Sequence, residues 1–366
     1  MRELFAALDR WQAEGQAVAL ATLVQVHGSA PRLPGARMLL TGDGRMAGSV
    51  SGGCVEGDIL TRAAQVLTDG VPVLVRYGIA DDSELAVGLT CAEIEVLIEP
   101  WRETPAWGAV RAALTAHAPA VVAIALAPAA LAGRALAIGP DRTCHGALDG
   151  ALDADVRAAA DAMLGSAAVS VLTLGEGGDA PVVFVEAFAR PERLVISGGS
   201  HTAVALARMA KLVGMHVTVV DARSAYLGRE RFPDVDVLVH APPGKALAAL
   251  DLADAAVVTL THDLKSDVPA LGAALRGGAA YVGAMGSLAT HERRRAALLE
   301  AGIDAEAIAR IRTPIGLDIG SRTPEEIALA ILAELLAVRM QRDARPLREH
   351  GIVHDAGRLR RVEGGR

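Results

Sequence analysis

The chain has 366 residues, 52% of them hydrophobic, with three cysteines and a formal charge of −7 at neutral pH. That size and apolar content support more than one packed core, while the acidic balance and only ten aromatic residues exclude an electrostatic footprint or stacking platform for nucleic acid. No apolar run reaches the ~18–20 residues that span a bilayer, no CxxC suggests zinc or a disulfide framework, and MRELFAALDRW lacks a signal-peptide pattern, so a cytoplasmic protein is expected.

Leu4, Phe5, Leu8 and Trp11 recur at helical spacing and predict a helix over 3–14. An apolar run of strand length follows over 17–26, then the breaker-rich HGSAPRLPGA. RMLLT and RMAGSV flank Gly42-Asp43-Gly44 and read as a hairpin. Val55, Ile59, Ala63 and Val66 share one face, so an amphipathic helix begins close to Cys54. Strands are predicted at 71–77 and 94–99, with Cys91 on the approach to the second. Residues 101–190 are alanine-rich and weakly marked, with helices expected over 107–116 and 151–164 and strands over 120–126 and 135–138. No internal repeat is evident.

From Arg193 the pattern sharpens. LVISGGSHTAVALARMAKLVGMHVTVVDARS reads as strand, glycine turn, helix, strand and terminal acid, and DVDVLVH, DAAVVTLTHD and GAAYVGAMGS add three buried-type strands. The fold class is therefore α/β, an N-terminal mixed α/β domain followed by a Rossmann-like doubly wound parallel sheet. Domain bounds are expected at 1–100, 101–190 (a connecting region packed with the first), 191–340 and 341–366, the last a mobile tail. Thr323, Pro324 and Glu326 supply an N-cap, an N1 proline and an N3 acid for the last helix.

Gly198-x-Ser200-x-x-Ala203 joins strand to helix where N–H groups and the helix dipole favour a phosphate. Ser200 stands where a dinucleotide turn has its second glycine, and its hydroxyl is a candidate phosphate donor. Asp221 ends the next strand, where an acid hydrogen-bonds a ribose diol. The alternative is a tight turn that packs helix on sheet without a nucleotide. Gly199, His201, His262, Asp263, Gly283, Gly286 and Ser287 are expected at the same carboxyl edge. His201, His262 and Asp263 lack a third imidazole or thiolate at ligand spacing, so hydrogen-bonding roles fit them better than metal ligation. On this motif alone, an NAD(P)-dependent oxidoreductase is one reading, against which no proton donor is placed beside a nicotinamide.

Cys54 supports two readings, a small buried hydrophobe or a thiolate favoured by a helix N-terminus beside Gly52 and Gly53. GSAPRLPGARMLL, GSVSGGCVEGD, GLTC with EVLIEP, THD, YVGAMGS and RTPIGLDIGSRTPEEIALAILAELLAVR resemble the xanthine dehydrogenase accessory protein family (XdhC/CoxI), over about residues 12–100 and 193–339. The resemblance implies a cytoplasmic, non-catalytic chaperone for molybdenum cofactor, in its plain or dinucleotide form. It implies partners too: a cysteine desulfurase that installs the sulfido ligand, and an apo molybdenum hydroxylase that receives the cofactor. Ser51, Gly52, Gly53, Cys54, Glu56 and Cys91 are then the expected contacts in the N-terminal half, with Cys54 a possible molybdenum contact. The glycine turn would hold the pterin phosphate or nucleotide. A non-catalytic scaffold for a dehydrogenase is the further alternative, and the two-domain layout permits a homodimer.

Overall fold

The computed structural model describes residues 1–28, 30–78, 92–177, 180–349, 352–355 and 358–361. Contacts divide the chain into two units, Met1–Arg190 with Leu347–Arg366, and Pro191–Pro346.

The first unit begins with α1 (Phe5–Ala13), β1 (Val18–Gly28), β2 (Arg37–Thr41), β3 (Met46–Gly48), α2 (Glu56–Asp69), β4 (Val73–Tyr77) and β5 (Ala92–Pro100). The strands form an antiparallel sheet in the order β3-β2-β1-β5-β4. Side chains alternate across β1, so Leu20 and Val24 face a core shared with α1, while Ala19, Ala21 and Leu23 face Ile59, Ala63 and Val66 of α2. The predicted apolar face of α2 is thus the buried one.

No internal repeat is legible in the sequence, yet the fold contains one. The weakly marked region supplies α3 (Pro105–Thr115), β6 (Ala120–Ala127), β7 (Ala135–Ile138), β8 (Cys144–Gly146), α4 (Asp153–Met163), β9 (Val169–Thr173) and β10 (Val182–Phe188). Its sheet runs β8-β7-β6-β10-β9, the same order as the first. α1 and α3 lie together in one core with residues from both sheets, and α2 and α4 each cover an outer face.

The contacts between the halves are reciprocal, as in an isologous pair. A Cβ on Gly35, before β2, would lie 2.7 Å from Glu186 Oε1 of β10; a Cβ on Gly133, before β7, would lie 3.0 Å from Glu99 Oε2 of β5. Across the shared core Asp9 and Arg111, each four residues from the end of its helix, pair at 2.6 Å. Sheet order survives because any apolar residue serves at an inward position, so the two copies need share little sequence.

The second unit contains β11 (Arg193–Ser197), α5 (His201–Leu212), β12 (His216–Asp221), β13 (Val237–His240), α6 (Pro243–Ala249), β14 (Ala256–Thr259), α7 (Leu264–Arg276), β15 (Tyr281–Ala284), α8 (Leu288–Glu300), α9 (Ala305–Ala309), β16 (Ile311–Arg312) and α10 (Pro324–Arg339). All six strands are parallel, in the order β13-β12-β11-β14-β15-β16. This is the two-half Rossmann arrangement, whose strand order reverses beside β11. Leu194, Ile196 and Val258 pack against α5 and α10, and Val195, Val257 and Val282 against α6, α7 and α8. Thr323 and Glu326 cap α10 reciprocally, as expected. In the expected tail, β17 (Ile352–Asp355) and β18 (Arg358–Arg361) pair antiparallel.

One buried charge pair ties the halves of the first unit. Arg37, 3% exposed, meets Glu186 at 2.5 Å, donates to Gly35 O at 3.1 Å and lies over the rings of Trp107 and Phe188. Truncating one partner leaves the other charge buried. Arg37→Ala should therefore lower the unfolding free energy by about 3–5 kcal/mol, read by urea denaturation, while the same change at exposed Arg142 should have little effect.

Candidate functional site

The loop from β3 to α2 is built around one carboxylate. Glu56, the first residue of α2, turns back so that Oε1 accepts the N–H groups of Val50 (3.3 Å), Ser51 (2.9 Å) and Gly52 (3.1 Å), and Oε2 those of Gly53 (2.9 Å) and Val55 (3.2 Å). The hydroxyls of Ser49 and Ser51 donate to it as well. Burial alone would raise its pKa, but the hydroxyl and amide donors outweigh that and hold the carboxyl at about 2. Gly52 and Gly53 take positive φ (82° and 117°), which lets successive amides converge on the acid.

Cys54 lies just before the helix cap Val55, exposed and free, with its N–H donated to Ser51 Oγ at 3.0 Å. The packing reading of this thiol therefore fails. The second half makes the matching turn without cysteine: Asp153, first in α4, accepts the N–H groups of Leu148 (2.8 Å) and Asp149 (3.2 Å). The sulfur is thus not needed for the turn. Glu56, an expected cofactor contact, acts instead as the internal anion of the loop. Cys91 lies outside the described residues.

In the second unit, Gly198, Ser200, Thr202, Asp221, His262 and Asp263 border a cavity of about 670 Å³ at the carboxyl ends of β11, β12 and β14, together with Arg223, Tyr226 and Met285. Ser200 Oγ accepts the N–H of Ala203 at 3.3 Å and caps α5, a reason for serine at that place in the turn. Its hydroxyl proton remains able to donate. Asp221 is engaged from within: it accepts the Gly199 N–H at 2.8 Å and the Arg223 N–H at 2.8 Å, and Arg223 adds Nε at 3.0 Å and Nη2 at 2.8 Å. Burial would raise its pKa, but Arg223 and these amides hold the carboxyl below its ordinary value.

Of the other expected residues, His201 is exposed on the first turn of α5, and Asp263 caps α7 by accepting the Lys265 N–H at 3.1 Å. Ser287 caps α8 by accepting the Thr290 N–H at 3.2 Å. Gly283 lies buried in β15, where a side chain would overlap Ile315, and Gly286 packs against Arg294. Neither of these glycines borders the cavity. The sequence also hid the cover over the turn: Tyr226 packs on Gly199 so closely that a Cβ there would clash, with Arg223 stacked on its ring at 3.8 Å and Arg231 at 5.2 Å. Beneath the cavity, Arg294 and Asp267 form a fully buried pair at 2.5 Å, and Thr261, which borders the cavity, donates its hydroxyl to the same acid. Of this, only the acid and base two residues apart at Asp221 and Arg223 left a trace in the sequence.

Glu56→Ala should free the amides of residues 50–53 and cost about 1–3 kcal/mol, read as lost hydrogen-exchange protection in that loop and a lower thermal midpoint. Because its folded pKa is depressed, the contribution of Glu56 is present above about pH 4.5 and lost as pH falls through about 2. The variant should therefore lose stability relative to wild type at neutral pH and converge with it in strong acid.

Residues 11–78 match the model described as the XdhC and CoxI family, and residues 194–335 the XdhC Rossmann domain. The chain is 30% identical over 331 residues to the molybdenum cofactor insertion chaperone PaoD of Escherichia coli K12, covering 90% of this chain and 86% of that one. It is 29% identical over 340 residues to a probable xanthine dehydrogenase subunit from Bacillus subtilis 168, covering 91% and 96%. A Bacillus halodurans crystal structure described as a xanthine dehydrogenase superposes with a TM-score of 0.74 at 25% identity, covering 93% of this chain and 97% of its own. With the exposed thiol loop in one unit and the reversed-order parallel sheet in the other, these likenesses give one result: the chain belongs to the XdhC and CoxI family.

Proposed function

We propose that the protein binds molybdenum cofactor, holds it while a cysteine desulfurase installs its sulfido ligand, and inserts it into an apo molybdenum hydroxylase of the xanthine or carbon monoxide dehydrogenase type. The observation that carries the reading is the exposed Cys54 thiol, held on a loop whose fold does not require sulfur. A thiolate is a soft donor suited to molybdenum or its dithiolene surroundings. The naming of PaoD as a molybdenum cofactor insertion chaperone supports the same reading.

The donor set fits the cofactor only in part. The amides of Gly52 and Gly53 already bind Glu56, so a phosphate gains nothing from them. The thiol of Cys54 stands free of that network. In the second unit, the outward hydroxyl of Ser200, Thr202, His262 and the face of Arg223 border a cavity large enough for a nucleotide portion. When bound, the cofactor supplies oxygen-transfer chemistry to its final enzyme; this chain's residues bind, shield and release it.

The strand order and the Gly198 turn favour a second reading, a nicotinamide-dependent oxidoreductase. Titration with reduced nicotinamide cofactor separates the two, because a saturable fluorescence change below millimolar concentration is expected only for the second.

Protein purified from a cofactor-producing host should carry molybdenum and yield oxidised-pterin fluorescence. Cys54→Ala should carry at least about tenfold less of both with an unchanged melting curve. Equal loading of wild type and variant under saturating cofactor would remove Cys54 from the binding role and the reading with it.

A further inference from the structure

Among the matched positions at which the two halves of the first unit differ, one pair bears on a buried acid. Arg37 opens β2 and its guanidinium meets Glu186, between the rings of Trp107 and Phe188. Ala135 opens β7 at the matching place, and a cavity of about 430 Å³ borders it, lined also by Glu99, Trp101, Trp107, Gly133 and Gly146. Glu99 is the counterpart of Glu186, as the reciprocal contacts of Gly133 and Gly35 establish. It is 6% exposed, and its Oε1 accepts no hydrogen bond among the described residues.

We propose that this cavity binds a small molecule bearing a guanidinium or amidinium group, with Glu99 receiving the planar cation as Glu186 receives Arg37 and with Trp101 and Trp107 walling it.

Planar cations suit the site for two reasons. Their parallel N–H groups match a carboxylate, and their faces stack on aromatic rings, neither of which a compact ammonium does as well. The two indoles, with centroids 5.4 Å apart, supply the rings. Among the described residues no cation pairs with the Glu99 carboxyl. Arg102 donates to Gly70 O at 3.3 Å and Arg134 to Leu148 O at 3.1 Å, and neither pairs with Glu99. Burial pushes the Glu99 carboxyl up to about 8 against the opposing influence of Arg37. Since Arg102 and Arg134 line the same cavity, a ligand with an anionic tail is favoured, arginine over agmatine. The site is independent of the molybdenum reading.

Two of the three tryptophans line the cavity, so their fluorescence reports on it. The full chain should be titrated with L-arginine, agmatine and L-lysine, with calorimetry alongside. Saturable binding of arginine is expected, with agmatine weaker and lysine weaker still by at least about tenfold. Glu99→Gln should weaken arginine binding at least about tenfold while melting no lower than wild type at pH 8, because it removes a buried acid. Ala135→Arg, which rebuilds the pairing of the other half, should abolish binding and raise the melting temperature. No binding of arginine or agmatine at millimolar concentration would overturn the proposal, and so would wild-type affinity in Glu99→Gln. Lysine binding as tightly as arginine would equally overturn it. Should Ala135→Arg fail to fold, Glu99→Gln decides alone.

Discussion

A backbone N–H taken out of water must find an acceptor, and at three turns of this protein that acceptor is a carboxylate from the chain itself. Glu56 gathers the amides of the loop before α2, Asp153 those before α4, and Asp221 the amide of Gly199 in the Rossmann turn. Each acid satisfies amides of the loop that leads into a helix. Much of the capacity of these turns for external anions is thereby taken up. What projects outward from these turns is a thiol at Cys54, a hydroxyl at Ser200 and an imidazole at His262.

The repeated architecture of the first unit shows what the fold requires and what has been added to it. Both copies make a three-stranded meander, a helix and a returning pair of strands, and both start the second helix with an acid bound to preceding amides. The shorter Asp153 holds two amides, while the longer Glu56 holds five and so supports a loop with two glycines at positive φ. The extra length presents the cysteine. The shared part holds the fold, and the exposed thiol belongs to the difference.

Elements governed by local periodicity were legible. The buried stripe Ile59, Ala63 and Val66, the cap at Thr323 and the strand-turn-helix run from Arg193 all depend on residues close in sequence, and the structure has them where the pattern puts them. Features made by residues distant in sequence were not. The duplication escaped because the strands of the second copy satisfy the same inward positions with different apolar residues, as Val122 beside Glu186 does where the first copy has Leu20 beside Glu99. β8, β9 and β10 went unmarked for the same lack of contrast. At the site, the glycine turn and its acid were visible, but the closure of Tyr226 over Gly199 was not, because it depends on how a short segment after β12 folds back. Ser200, which stands in place of the turn's second glycine, is also a helix cap, and that second role explains a serine there.

The asymmetry between Glu186 and Glu99 follows from what burial does to charge. A carboxylate inside a protein is tolerated when a matched cation and further donors compensate the lost hydration. Glu186 has Arg37 for this purpose, and the pair joins β2 to β10 across the core. At Glu99 the matching position is alanine, no cation pairs with the acid among the described residues, and burial raises its pKa to about 8, so it lacks the compensation that Arg37 gives Glu186. The fold alone therefore gives no reason for an acid there. A cation from outside the chain does give one, and it would complete in the second copy the interaction that the first makes internally.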